Sequence, residues 1–197
     1  MSGTARIGAV VLAGGRSSRF GRDKLAEPID GRPMLDHAID AVRTLVSDIV
    51  VVVAPETPAH GLPTDVRVAA DPDAYQGPLA GLATGLRALD PGIERVIVIG
   101  GDMPTLVPAV LSRLLDALDR YELAVLSDDE SERPLPLAAR RSVALDATQR
   151  LLDAGERRLR ALLAVVDVSV IPAATWRLDD PTGASLRDVD VPGDLPG

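Results

Sequence analysis

Short runs of β-branched and apolar residues alternate along this chain with longer amphipathic segments. Seven runs read as strands: Ile7–Ala13, Ile49–Ala54, Val66–Ala70, Val96–Ile99, Leu123–Leu126, Leu135–Ala138 and Val168–Ile171. Several are continuous Val/Ile stretches without polar alternation, as expected of strands covered by helices on both faces. Between them, Met34–Val46, Leu79–Leu89, Pro108–Tyr121, Ser142–Ala154 and Arg157–Val165 read as helices. Pro33 and Pro108 stand near first turns, and Thr105, Ser112 and Ser185 are nearby residues of capping type. This alternation predicts an α/β fold, a doubly wound and mostly parallel sheet with helices on both faces. In such a sheet ligands sit at the carboxyl ends of the strands, so the loops there should hold the chemistry. Pro55–Asp65, Ser127–Pro134 and Asp179–Ser185 read as surface loops, none long enough to link domains. Residues 1–197 are therefore expected to form one domain.

Composition narrows the chemistry. A chain of 197 residues, 46% of them hydrophobic, can bury a core of ordinary size. It has no cysteine, which removes disulfides, thiolate nucleophiles and cysteine-ligated zinc. Two histidines, His37 and His60, exclude a three-histidine metal site. One Trp, two Tyr, one Phe and a net charge of −8 argue against a stacking platform or basic groove for nucleic acid. Ile7–Ala13 is too short to span a bilayer, and its flanking charges follow it instead of preceding it as in a secretory signal. The expectation is a cytoplasmic protein without a membrane partner. Of the 21 basic residues only Lys24 is a lysine, which makes its neighbourhood the first to inspect.

Lys24 ends the string LAGGRSSRFGRDK, Leu12 to Lys24, directly after the first predicted strand. Gly14, Gly15 and Gly21 allow close backbone approach, and successive N–H groups can form an anion nest. Arg16, Arg19, Arg22 and Lys24 place four cations within nine residues of an acidic protein, which fits a polyphosphate. The alternative is a tight βα turn with a solvated basic face. The spacing matches neither the dinucleotide fingerprint nor the Walker loop. Further on, the fourth strand runs into GGDMPTL, Gly100 to Leu106, exposing Asp102 at the sheet's carboxyl edge. One carboxylate together with substrate phosphate is a common way to hold Mg²⁺. The competing role for Asp102 is to cap the next helix. In DPDAYQGPLAGL, Asp71 to Leu82, Gly77–Pro78 reads as a helix start, and Gly81 and Gly85 as a smooth packing face.

These strings resemble the molybdenum-cofactor guanylyltransferases (the MobA family) of the nucleotidyltransferase superfamily, whose first loop is approximately LAGGxSxRMGxDK. Phe20 stands here where Met is usual. DMP after a buried strand and D…GPLAGL are the second and third matches. The resemblance implies a Rossmann-like nucleotidyltransferase fold and transfer of GMP from GTP to molybdopterin or molybdenum-loaded molybdopterin. The products would be the guanine dinucleotide cofactor and pyrophosphate. It implies that Leu12, Ala13, Gly14 and Gly15 hold the nucleotide, with Asp71 and Gly77 beside it. Arg19 and Lys24 would meet the phosphates, and Asp102 would ligate Mg²⁺ and act with them in catalysis. Delivery to other molybdenum-cofactor proteins is implied by the family alone.

The pattern departs from the family in two further places. Ala54–Pro55 replaces a frequent asparagine, and LRDVDVPGDL carries Asp188 and Asp190 where the family has asparagines. Asp190 is a candidate second Mg²⁺ ligand, weighed equally against a solvated loop. In GERRLRALL, Gly155 to Leu163, the arginines either meet the acceptor's phosphate or form a charged helix face. Two other readings stay open. One is a different nucleotidyltransferase: a CTP-dependent molybdopterin cytidylyltransferase, or a phosphosugar or phospholactate type. The other is a non-catalytic nucleotide-binding module.

Overall fold

The computed structural model describes residues 5–14, 24–55, 62–70 and 77–189. Within them, seven strands form one sheet in the order β5-β4-β1-β6-β8-β7-β9. They are β1 (Ile7–Leu12), β4 (Asp48–Val53), β5 (Arg67–Ala70), β6 (Arg95–Gly100), β7 (Leu123–Ser127), β8 (Glu132–Arg140) and β9 (Val168–Ile171). The two remaining strands, β2 (Pro28–Ile29) and β3 (Arg32–Pro33), make a separate small hairpin. The described residues form five α-helices: α1 (Met34–Arg43), α2 (Pro78–Ala88), α3 (Pro108–Ala117), α4 (Arg141–Asp153) and α5 (Ala173–Trp176).

Every predicted strand is present. Each central strand divides its apolar side chains between two cores by the two-residue period of the pleat. Ala9, Val11, Ile49, Val51, Ile97 and Ile99 pack with α1, α3 and Trp176. Val10, Val50, Val52, Val96 and Val98 pack with Leu79, Leu82 and Leu86 of α2 and Ala144 and Ala147 of α4. Gly85 lets α2 approach β1 closely, because a Cβ there would lie 2.4 Å from Cγ1 of Val10. At Gly81 the same construction gives only ordinary contact with Leu12.

The sheet is mostly parallel, with β8 alone opposed to its neighbours β6 and β7. Half of the segment read as a loop, Ser127–Pro134, belongs to these two strands, joined by residues 128–131. Such a short link permits only antiparallel pairing. The β7–β8 register breaks between Val125 and Leu126, opposite Pro134 and Pro136, which lack the N–H a ladder needs. The last predicted helix is a 3-10 turn, Leu159–Ala164, and buries Leu159 and Leu162, a three-residue spacing that suits this tighter winding. Thr105, Ser112 and Ser185 do not cap the helices they stand near. The Ser112 hydroxyl donates back to the Pro108 carbonyl, and Thr105 and Ser185 join two separate segments instead.

Candidate active site

From β1 the chain moves outward through β4 and β5, then returns to β6 on the other side of β1. The carboxyl ends of β1 and β6 therefore flank the switch point where an α/β sheet opens a ligand crevice. The loop backbones are tied down there: Ala13 N–H donates to the Val52 carbonyl at 2.8 Å, and Gly101 N–H to the Leu12 carbonyl at 2.9 Å. Gly14 follows, close to Ala54. Gly15, Arg19, Asp71 and Asp190 lie outside the described residues.

Lys24 and Asp102, 78 positions apart in sequence, meet at this edge. Lys24 Nζ donates to Asp102 Oδ2 at 2.7 Å and to the Val189 carbonyl at 3.1 Å. Val189 N–H in turn donates to the Asp102 carbonyl at 3.0 Å, so three segments close into one ring of contacts. Both charged side chains are largely withdrawn from solvent, at 14% and 29% exposure. In so sheltered a place an ion pair is screened less than at the surface. The Asp102 carboxylate folds back over Gly100, where a Cβ would stand 2.4 Å from its Oδ1. Glycine at position 100 thus makes room for the acid. Asp102 hydrogen-bonds to Lys24 and Val189, and helix α3 begins without a side-chain cap.

Gly77 opens α2 as expected, with φ +96° and Pro78 in the first turn. Its backbone fits against Arg157, whose carbonyl a Cβ would approach to 2.7 Å and which also accepts from Leu79 N–H at 3.3 Å. This packs the GERRL segment against the start of α2. Within that segment, Glu156 accepts from the Arg158 side chain and from the backbone N–H groups of Arg157 and Arg158. These contacts hold its carboxyl down at about 2.

A cavity of about 290 Å³ opens beside Asp102, lined also by Glu132, Arg133, Arg160 and Asp188. A neighbouring cavity of about 390 Å³ shares Arg133 and Asp188 and adds Arg187. Arg160 pairs with Glu132 at 2.7 Å, and Arg133 with Asp128 at 3.3 Å. Of the GERRLRALL arginines it is Arg160 that lines the cavity, while Arg158 pairs with Glu156. Arg133 escapes sequence reasoning because it lies in Ser127–Pro134, which reads as a surface loop. Asp102 and Asp188 supply this wall with carboxylate oxygens, the donor type that Mg²⁺ and similar hard cations take. Among the described residues no group of three His, Cys, Asp or Glu side chains could hold a metal alone. Substrate phosphate and water would have to complete any coordination shell here.

Comparison with known proteins places the chain in a family. The family model for the MobA-like NTP transferase domain matches residues 9–170. A molybdenum cofactor guanylyltransferase from Shewanella halifaxensis is 35% identical over 160 residues, 79% of this chain and 78% of that protein. In fold, the chain is similar to molybdopterin-guanine dinucleotide biosynthesis protein A from Archaeoglobus fulgidus, with a TM-score of 0.79 and 23% identity. That match covers 95% of this chain and 94% of the other. It is also similar to 4-diphosphocytidyl-2C-methyl-D-erythritol synthase from Anaerococcus prevotii, with a TM-score of 0.74 and 14% identity over 97% and 95% of the two chains. Divalent-cation dependence goes with the nucleotidyltransferase family in general. This chain belongs to the MobA-like NTP transferase family and is a nucleotidyltransferase.

Proposed function

We propose that this chain transfers GMP from GTP to molybdopterin, molybdenum-loaded, releasing pyrophosphate and forming the guanine dinucleotide cofactor. The observation that carries this is the meeting of Lys24 with Asp102 at the switch point, in a chain whose curated relatives are named for guanylyl transfer. An oxygen of the acceptor's phosphate forms the new bond to the α-phosphorus, and the bond from that phosphorus to the pyrophosphate breaks. The attacking oxygen is already anionic, so no protein base has to remove a proton. A chain with two histidines and no cysteine is sufficient.

Asp102, with Asp190 as a second candidate, would hold Mg²⁺, which when bound supplies charge neutralisation at the phosphates. Lys24 then turns from the carboxylate to the phosphates and, with Arg19, stabilises the departing pyrophosphate. A compact ammonium on a flexible stem suits that change of partner. The backbone of Leu12, Ala13, Gly14 and Gly15, with Asp71 and Gly77, positions the nucleotide. The cavity beside Asp102 takes the acceptor, and its arginines face the acceptor's phosphate. Positioning and charge neutralisation provide most of the rate.

The fold is shared with a cytidylyl-type enzyme and does not select the base. Ala13-Gly14-Gly15 and the GPLAG segment, Gly77 to Gly81, favour guanine, in line with the names of the relatives. That Lys24 and Asp102, the residues the family resemblance gives to phosphate and metal, are both intact argues against a non-catalytic module. The reading is completed by a single domain over residues 1–197, working in the cytoplasm and delivering to other molybdenum-cofactor proteins. No described helix is long and apolar enough to cross a membrane. Each of the four NTPs, incubated with Mg²⁺, molybdopterin and the protein, tests the proposal through pyrophosphate release. Release with GTP is expected. Release with CTP alone would replace guanine by cytosine, and no release with any NTP would leave a binding module.

A further inference from the structure

Asp180 is a charged residue only 2% exposed, located in the turn after α5 and outside every motif described above. Burial alone would raise its carboxyl. Hydrogen bonds from the Ser185 backbone and from the Thr182 and Ser185 side chains, with a further one from Ala184 N–H, outweigh that and keep it below the ordinary range. The two clearest are Ser185 N–H to Oδ2 at 2.7 Å and Thr182 Oγ1 to Oδ1 at 2.8 Å. They bend residues 180–185 into a tight turn through Gly183, whose φ is +69°.

What that turn organises is the segment leading to Val189. Ser185 is itself completely buried, and its hydroxyl accepts from Val107 N–H at 3.1 Å. Thr105 Oγ1 donates to the Ala184 carbonyl at 2.9 Å. Val189 N–H donates to the Asp102 carbonyl at 3.0 Å, while its own carbonyl accepts from Lys24. Residues 184–189 are thus fastened at three points along residues 102–107, and Asp180 fixes the turn from which they start. We propose that Asp180 is a positioning residue for transfer, setting the Val189 backbone that aligns Lys24 with Asp102. The carboxylate touches no reacting group and acts through Ser185 and Val189. The proposal rests on the roles given above to Lys24 and Asp102.

The test uses the chain's single lysine. Full-length protein labelled with ¹³C-lysine gives one side-chain ε signal, that of Lys24, which reports its surroundings without any turnover. In Asp180→Ala that signal should move, and kcat should fall by about 10-fold or more with KM for GTP changed less, the pattern of a misplaced but still bound substrate. In Asp180→Asn the amide oxygen can still accept from Ser185, and its NH₂ can donate to the Thr182 hydroxyl. Signal and kcat should then return to within about twofold of the parent. Thr182→Ala removes one of the bonds to Asp180 and should shift the Lys24 signal less, in the same direction. It keeps the test open if Asp180→Ala does not fold. Gly85→Ala, crowding Val10 on the other face of the sheet, controls for general destabilisation and should leave the signal in place.

An unmoved Lys24 signal in folded Asp180→Ala or, should that variant not fold, in Thr182→Ala would overturn the proposal. So would a kcat loss that Gly85→Ala reproduces at the same fall in Tm. A moved signal with unchanged kcat would overturn the role in transfer while leaving the link from Asp180 to Lys24 in place, whereas parental turnover in Lys24→Ala would fail the functional reading itself, so the two failures are distinguishable.

Discussion

The two walls of the cleft hold their charges in different ways. On one, Lys24 and Asp102 are mostly shielded from solvent, and both are tied to the backbone of Val189. On the other, Arg133 and Arg160 pair with Asp128 and Glu132, and the arginine side chains are 39% and 54% exposed. Exposed pairs of the second kind contribute at most about 1 kcal/mol, so these arginines can turn towards an arriving anion at small cost. The first pair is costlier to separate, since each partner would be left charged with little water around it. A metal–triphosphate complex offers both replacements together, a cation for Asp102 and an anion for Lys24. Under the proposed function, the fixed wall would meet the nucleotide and the adjustable wall the acceptor.

Removing the acid should break this arrangement most severely. Asp102→Asn should lower Mg²⁺-dependent turnover by roughly 10³-fold, in the range seen when a preorganised electrostatic group is lost, and should also lower Tm, because Lys24 is left without its carboxylate in a sheltered place. Pyrophosphate release across a Mg²⁺ titration checks it, and an unchanged metal requirement would take Asp102 out of the role. Lys24→Ala should lower turnover by roughly 10²-fold, as expected for a lost donor to developing charge. Lys24→Arg should recover only part of this, because a planar guanidinium does not replace a point-like ammonium. Near-parental turnover in Lys24→Ala would remove the lysine from the mechanism.

On the adjustable wall the expected effects are smaller and of another kind. Arg160→Ala should raise KM for molybdopterin by about 10-fold, equivalent to about 1.4 kcal/mol of lost binding, while KM for GTP stays the same. A rise in KM for GTP instead would exchange the assignments of the walls. The smallest effect is that of Glu156, whose folded-state value of about 2 lies below its ordinary 4.5. Its contribution to stability is present above pH 4.5 and fades as pH falls towards 2. Tm measured against pH should show Glu156→Gln slightly below the parent near neutrality, with the two curves converging in acid.

Much of the scaffold is legible in the sequence because the central strands are unbroken apolar runs. Runs such as Ile49–Val53 and Val96–Ile99 leave no polar face to solvate, so helices must cover both sides. The direction of β8 is less visible because Pro134 and Pro136 interrupt its pattern and acids crowd the turn before it. A local signal was still present: Asp128 accepts from the N–H groups of Glu130 and Ser131, the kind of turn an aspartate forms two and three residues ahead of itself. The β2–β3 hairpin likewise announces itself through Asp30–Gly31, both with positive φ, a pair suited to a two-residue turn. Of the site, Lys24 and Asp102 stand out as separate motif residues, but their ion pair depends on a fold that closes a gap of 78 positions. Asp180 could not be picked out, because an acid in DDPTG reads like any exposed loop until the buried turn is seen.

In the proposed cycle, Lys24 sits on Asp102 until nucleotide and metal together separate them. The ¹³C-lysine signal of the unmodified chain, followed during a GTP titration with Mg²⁺ but no acceptor, tests this most directly. This single signal should shift and saturate with GTP and Mg²⁺ present, at far lower concentration than with CTP. A signal that stays in place while the same protein releases pyrophosphate from GTP once molybdopterin is added would contradict it.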